Sequence, residues 1–146
     1  MRKFLGLLFA VMIFASCASV KKTDYQMPIQ VSLIKEIKSN NAFRMLWYDF
    51  ITEANQYQSY KNYIPSDKLI SHYSLVQEKK NVIVPLYLQV NDNFDFKQLK
   101  ELGAEYSKTT NNTLSVRFPL KNLPSLLTLE NVSYVEYNNK VELRLY

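Results

Sequence analysis

One cysteine and one histidine are all that this 146-residue chain offers to thiol or imidazole chemistry. Cys17 follows Ala15-Ser16, and His72 lies between Ser71 and Tyr73. A catalytic imidazole needs a nucleophile held in a pattern such as Gly-x-Ser-x-Gly. Ser66 and Asp67 near His72 form no such pattern, so His72 reads as a surface or packing residue. One imidazole and one thiol do not make the spaced ligand set of a metal site, so no metal is expected. Phosphate and dinucleotide loops need several glycines for close backbone approach. Beyond Gly6 the chain has only Gly103. Asp92 and Asp95 have the chemistry to bind a cation, but Asn91-Asp92-Asn93 is turn and cap sequence. The aromatic group Trp47, Tyr48, Tyr57, Tyr60 and Tyr63 has two readings: a surface for glycan or peptide, or a buried stripe with tyrosine cover, which the spacing favours. The expectation is no catalytic residue, no cofactor and no enzyme.

The chemistry of Cys17 comes from what precedes it. Met1-Arg2-Lys3 is basic, Phe4 through Phe14 is an apolar run, and Ala15-Ser16 are small. This order is that of a secretory signal, and the run falls short of the roughly 20 apolar residues of a spanning helix. With Cys17 directly after it, the segment resembles the lipobox of bacterial lipoproteins. That resemblance implies removal of residues 1–16, a diacylglyceryl group on the Cys17 thiol and acylation of the new amine. Two or more acyl chains hold a protein firmly, at about 0.8 kcal/mol per buried CH₂. It further implies a place in the cell envelope, lipid-anchored, most simply at the outer membrane. Arg2 and Lys3 leave with the signal, so the formal charge falls from +5 to +3. No Arg/Lys cluster interleaves with aromatics, and nucleic acid is not an expected partner. With Cys17 lipidated, the folded part has no disulfide.

Residues 17–27 read as a polar tether and residues 28–80 as a helical segment. Ile34 and Ile37 fall at helical spacing, which suggests a short helix over residues 28–39. Ser39-Asn40-Asn41 is a break with a helix N-cap. Phe43, Leu46, Trp47, Phe50, Ile51, Ala54 and Tyr57 then form one apolar stripe at i, i+3, i+4, i+7 and onward. Pro65-Ser66-Asp67 opens a second short helix with Leu69, Ile70 and Tyr73.

From residue 81 the period changes. Val82, Val84, Leu86, Leu88 and Val90 alternate as in a strand with one buried face. Phe96, Leu99 and Leu102 form a helix face closed by Gly103 at C′. Residues 104–109 and 113–118 read as strands around a turn at Thr110-Asn111-Asn112. Asn122 and Pro124 open a Leu-rich helix, and residues 132–137 are a last strand. The order βαββαβ is that of a ferredoxin-like unit, so the expected class is α+β. Pro85 conflicts with a central first strand, because proline cannot donate to a ladder. A bulge, or pairing that begins only at Leu86, would resolve it.

The stretch from Ile83-Val84-Pro85 through Val90-Asn91-Asp92, Leu102-Gly103, Phe118-Pro119 and Val132-Ser133-Tyr134-Val135-Glu136 carries a second resemblance. It is similar to the propeptide-like region ahead of the catalytic domain in secreted bacterial subtilisin-like proteases, and Lys68 to Tyr73 resembles the short helix before it. The protease signatures Asp-Thr/Ser-Gly, His-Gly-Thr and Gly-Thr-Ser-x-Ala do not occur. The resemblance implies a module that inhibits or assists the folding of such a protease; the other reading is a structural envelope lipoprotein with an unrelated partner. By position, Leu143, Arg144, Leu145 and Tyr146 would enter a protease cleft. Against this, Asn138-Asn139 suits a type I′ turn. The favoured expectation is a hairpin that sets Tyr137 opposite Lys140 and residues 140–146 along the last strand.

Overall fold

The computed structural model describes residues 34, 37–58 and 62–139. Ten elements follow in chain order: β1 (Lys38–Ser39), α1 (Asn41–Ala54), α2 (Asp67–His72), β2 (Val76–Glu78), β3 (Asn81–Val90), α3 (Phe96–Glu101), β4 (Glu105–Lys108), β5 (Thr113–Pro119), α4 (Leu123–Leu126) and β6 (Val132–Tyr137). A 3₁₀ turn, Leu120–Asn122, leads into α4. The six strands form one sheet in the order β1-β6-β3-β5-β4, with β2 pairing β3 beside that path. All pairs are antiparallel except β1 with β6, so the sheet is mixed and the class is α+β.

Alternation decides which face of the sheet is covered. Val82, Val84, Leu86, Leu88, Val90, Leu114, Val116, Phe118, Val135 and Tyr137 all enter one hydrophobic cluster. The same cluster takes Leu99 of α3, Leu123 and Leu126 of α4, Leu69 of α2 and the whole stripe from Phe43 to Ala54 of α1. Residues of the other sheet face, such as Tyr87, Gln89, Thr113 and Arg117, do not join it. The helices therefore share one layer, and the opposite face is left without a core.

Local chemistry places the ends. Ser66 Oγ accepts the Leu69 N–H at 3.1 Å and caps α2. Asp95 caps α3 through the Lys97 N–H at 3.0 Å. Gly103, at φ +74°, ends α3 with its own N–H on the Lys100 carbonyl and the Ala104 N–H on that of Leu99, both 2.9 Å. This is a Schellman closure, and its left-handed residue favours glycine.

Three expectations need correction. The helix proposed for residues 28–39 falls mostly outside the described residues, but its last two residues are β1, paired with Tyr134 and Val135. The following Asn40 must be extended to cap α1 (φ −73°, ψ 163°), which suits a strand entering a helix. Asn122 does not cap α4 with its side chain, because the 3₁₀ turn runs straight into that helix. Its amide donates instead to the Leu102 carbonyl at 2.8 Å. Strand β2 was not anticipated: Val76-Gln77-Glu78 is exposed throughout and shows no alternation of burial.

Pro85 does sit inside a central strand. Its carbonyl accepts the Asn138 N–H at 3.4 Å. In an antiparallel strand a residue's N–H and C=O point to the same neighbour, so the missing N–H faces the β6 side. On that side β2 pairs only Asn81 to Ile83, and β6 pairs only from Leu86. Pro85 occupies the gap between the two partners, where no donor is required.

Leu46 and Phe50 are fully buried, whereas Met45 on the same helix is 58% exposed. Leu46→Ala or Phe50→Ala should therefore lower the unfolding free energy by about 2–5 kcal/mol. Met45→Ala should change it by no more than about 0.5 kcal/mol. Denaturant unfolding measures both, and equal effects would show that the α1 stripe is not core.

Candidate functional site

Two surfaces bring polar side chains together. The first is the cleft between α1 and α2, about 360 Å³, lined by Asp49, Thr52, Glu53, Lys68, His72 and Tyr73 among others. Helical spacing puts Asp49 and Glu53 one turn apart on α1. The Tyr73 hydroxyl donates to Asp49 Oδ2 at 2.6 Å. Glu53 receives the Ser66 N–H at 3.1 Å, the Tyr63 hydroxyl at 3.3 Å and the Ser66 hydroxyl. Both carboxylates are thus committed to holding α2 and the segment before it. The imidazole of His72 stands edge-on to Tyr73, ring centres 4.6 Å apart.

The chain of contacts continues into the sheet. The Tyr137 hydroxyl donates to the Tyr73 carbonyl, and the two rings meet edge to face at 5.9 Å. Burial raises the phenol pKa of Tyr63, Tyr73 and Tyr137 above the ordinary 10.0. The Glu53 carboxylate adds to the effect at Tyr63, and the hydrogen bond to Asp49 adds to it at Tyr73. These phenols stay protonated and act as donors. What the cleft does chemically is latch α2 to α1.

The second surface is the sheet face opposite the helices. Register sets Tyr87 beside Ser115 and Glu136, Gln89 beside Thr113 and Tyr134, and Arg117 beside Pro85 and Glu105. Arg117 bridges strands through ion pairs to Glu78 and, at 3.4 Å, to Glu105. Ser115 is buried there with an unpartnered hydroxyl. Tyr87 and Tyr134 are half-buried on this otherwise polar face.

The residues singled out from sequence divide as follows. Cys17, Tyr60, Leu143, Arg144, Leu145 and Tyr146 lie outside the described residues. Trp47 is fully buried and packs on Phe50 at 5.7 Å, with its indole N–H unpartnered. Tyr63 is fully buried between Phe50 and Tyr57, at 5.5 and 5.4 Å. The aromatic group is thus mainly interior, with Tyr48 on the surface. Asp95 is a helix cap, as its setting suggested. Among the described residues, no three His, Cys, Asp or Glu groups are placed to hold a metal ion, and no helix is long and apolar enough to cross a membrane. The Glu53 and Tyr73 latches were missed, since nothing in the spacing of a lone Glu and a lone Tyr marks a pair far apart in sequence.

The hairpin expected at Asn138-Asn139 meets an obstacle at its base. Asn40 Oδ1 accepts the Tyr137 N–H at 3.2 Å, and Asn40 Nδ2 donates to the Tyr137 carbonyl at 3.0 Å. A two-residue hairpin needs those same two groups for Lys140. They are already taken. Residues 140–146 themselves lie outside the described residues.

Comparison with known proteins returns no family model, no curated protein and no solved structure that matches the chain.

The three phenols make an alkaline prediction. A raised pKa means that the folded state keeps its proton while the unfolded chain loses it near pH 10. Stability should hold below about pH 10 and fall above it, by up to about 1.4 kcal/mol per pH unit for each suppressed ionisation. Tyr73→Phe should lower stability at neutral pH and flatten that decline. Urea unfolding of both proteins at neutral and alkaline pH decides it; parallel curves would contradict the Asp49–Tyr73 latch.

Proposed function

We propose that this chain is a non-catalytic, lipid-anchored protein of the cell envelope whose folded part binds another protein, in the manner of a subtilisin-type propeptide. The observation that carries the reading is the strand order β6-β3-β5-β4 with antiparallel neighbours. In that order β3 and β4 run parallel, joined by α3, and admit β5 between them. Likewise β5 and β6 run parallel, joined by α4, and admit β3. Two interlocked split βαβ units of this kind make a ferredoxin-like domain. One face carries the helices, and the other, with Tyr87, Tyr134 and Arg117, is left for a partner.

Two routes to a subtilisin-like protease follow from this reading: the open sheet face, and the tail with Leu143, Arg144, Leu145 and Tyr146. Support for the tail comes from Asn40, which occupies the backbone groups of Tyr137 that would otherwise recruit it into a hairpin. A second reading, a structural lipoprotein with an unrelated envelope partner, draws on the ion-paired Arg117, since a face crossed by Glu78 and Glu105 suits a polar contact.

Adding the mature chain to subtilisin-like proteases, with and without residues 140–146, separates the two. Inhibition that disappears on truncation is the expected result. Absence of inhibition in both forms would move the assignment to the second reading. Membrane fractionation of cells expressing Cys17→Ser checks the anchor: the variant should leave the membrane fraction or stay unprocessed, and normal processing with full retention would contradict lipidation.

A further inference from the structure

A second cleft, about 330 Å³, opens where the segment before α2, the β2–β3 turn and the 3₁₀ turn meet. Its lining includes Ile64, Pro65, Ile70, Lys79, Lys80 and Lys121. The composition is unusual for this molecule in two respects. Ile64 is 72% exposed, the highest value among the large apolar side chains of the described residues. The three lysines converge on the cleft, and none has an ion pair among the described residues, where the paired cation is Arg117. Asp67 is the one carboxylate in the lining, so the cleft is net cationic.

The backbone presents these groups on a fixed tip. Glu78 pairs with Asn81, so Lys79 and Lys80 alone make the loop between β2 and β3. Lys79 holds a left-handed backbone, φ 50°, which costs about 1 kcal/mol or more for a residue with a Cβ. A glycine or asparagine would serve the turn better.

We propose that this cleft docks the folded part on a bilayer of anionic phospholipid, with Lys79, Lys80 and Lys121 facing phosphodiester groups and Ile64 entering the headgroup layer. Cations around an exposed apolar side chain are the pattern of a surface that rests at a membrane interface. The sixteen residues between Cys17 and Ile34 would span at most about 50–60 Å, so a chain anchored at Cys17 could bring the cleft onto the same membrane. The inference goes beyond the proposed anchoring and does not require the lipid. It makes the cleft a second, electrostatic attachment that would set the orientation of the folded part on the surface to which the lipid already holds it.

The test uses residues 18–146, which contain every described element and the whole core cluster; one cooperative thermal transition checks that they are folded. The protein is sedimented with vesicles of phosphatidylcholine alone and of phosphatidylcholine with phosphatidylglycerol. Binding is expected only to the second, and should weaken as salt is raised. Each lysine near such a surface is worth about fivefold in binding, so Lys79→Gln, Lys80→Gln and Lys121→Gln together should lower it roughly a hundredfold. Ile64→Ser should lower it while leaving the salt dependence in place. These side chains are outside the core cluster, so the thermal transition should not move. Equal binding to both vesicles, or binding unchanged by the triple substitution, would overturn the proposal. So would capture of an acidic peptide by the cleft with no binding to anionic vesicles, which would assign the surface to a protein partner.

Discussion

The carboxamide of Asn40 holds the helical layer to the sheet. Its oxygen accepts two backbone donors, Phe43 at the first turn of α1 and Tyr137 at the end of β6. Its nitrogen returns a hydrogen bond to the Tyr137 carbonyl, and its own backbone N–H reaches the Val135 carbonyl at 3.3 Å. One side chain thus caps a helix and extends a two-residue strand by one more rung. An amide suits the task because it has both a double acceptor and a donor, like a peptide group. A serine cap would satisfy α1 but leave the Tyr137 carbonyl unanswered.

Much else depends on where this clamp sets α1. With the helix start fixed at β6, the stripe from Phe43 to Ala54 lies over the sheet, and α2 is drawn in by Asp49 and Glu53. Tyr73 and Tyr137 close the ring from α2 back to β6. The result is a layer tied to the strand that ends the described chain. The same clamp closes the outer side of β6 at Tyr137. At that residue the outer backbone groups of β6 are spoken for by a side chain rather than by another strand.

Periodicity made much of this legible. The α1 stripe, the alternation of β3 and β5, and the Gly103 stop could be read because one rule, burial of one face, governs each of them. The cap at Asn40 could be placed because its oxygen chemistry is local, whereas the cap expected at Asn122 was displaced by the 3₁₀ turn before it. Strands β1 and β2 could not be read: two and three residues are too short for any period, and they exist because β6 and β3 offer open edges. The Asn40–Tyr137 bonds span most of the chain, so the cap was legible and its second role was not. Pro85 looked like a fault in β3 until the gap between β2 and β6 gave its missing donor a place.

The junction of α1 with β6 turns on Asn40. Comparing Asn40→Ala with Asn40→Asp, by denaturant unfolding and by hydrogen exchange of the Tyr137 amide, tests it directly. Aspartate keeps the acceptor for Phe43 and Tyr137 but has no donor for the Tyr137 carbonyl; alanine loses all three bonds. The account predicts that alanine costs about 2–4 kcal/mol, from a lost cap and unpaired backbone groups, that aspartate costs less, and that Tyr137 exchanges fast only in the alanine variant. A cost within about 0.5 kcal/mol for alanine, with Tyr137 still protected, would mean that another group holds the end of β6 and that Asn40 is a helix cap alone.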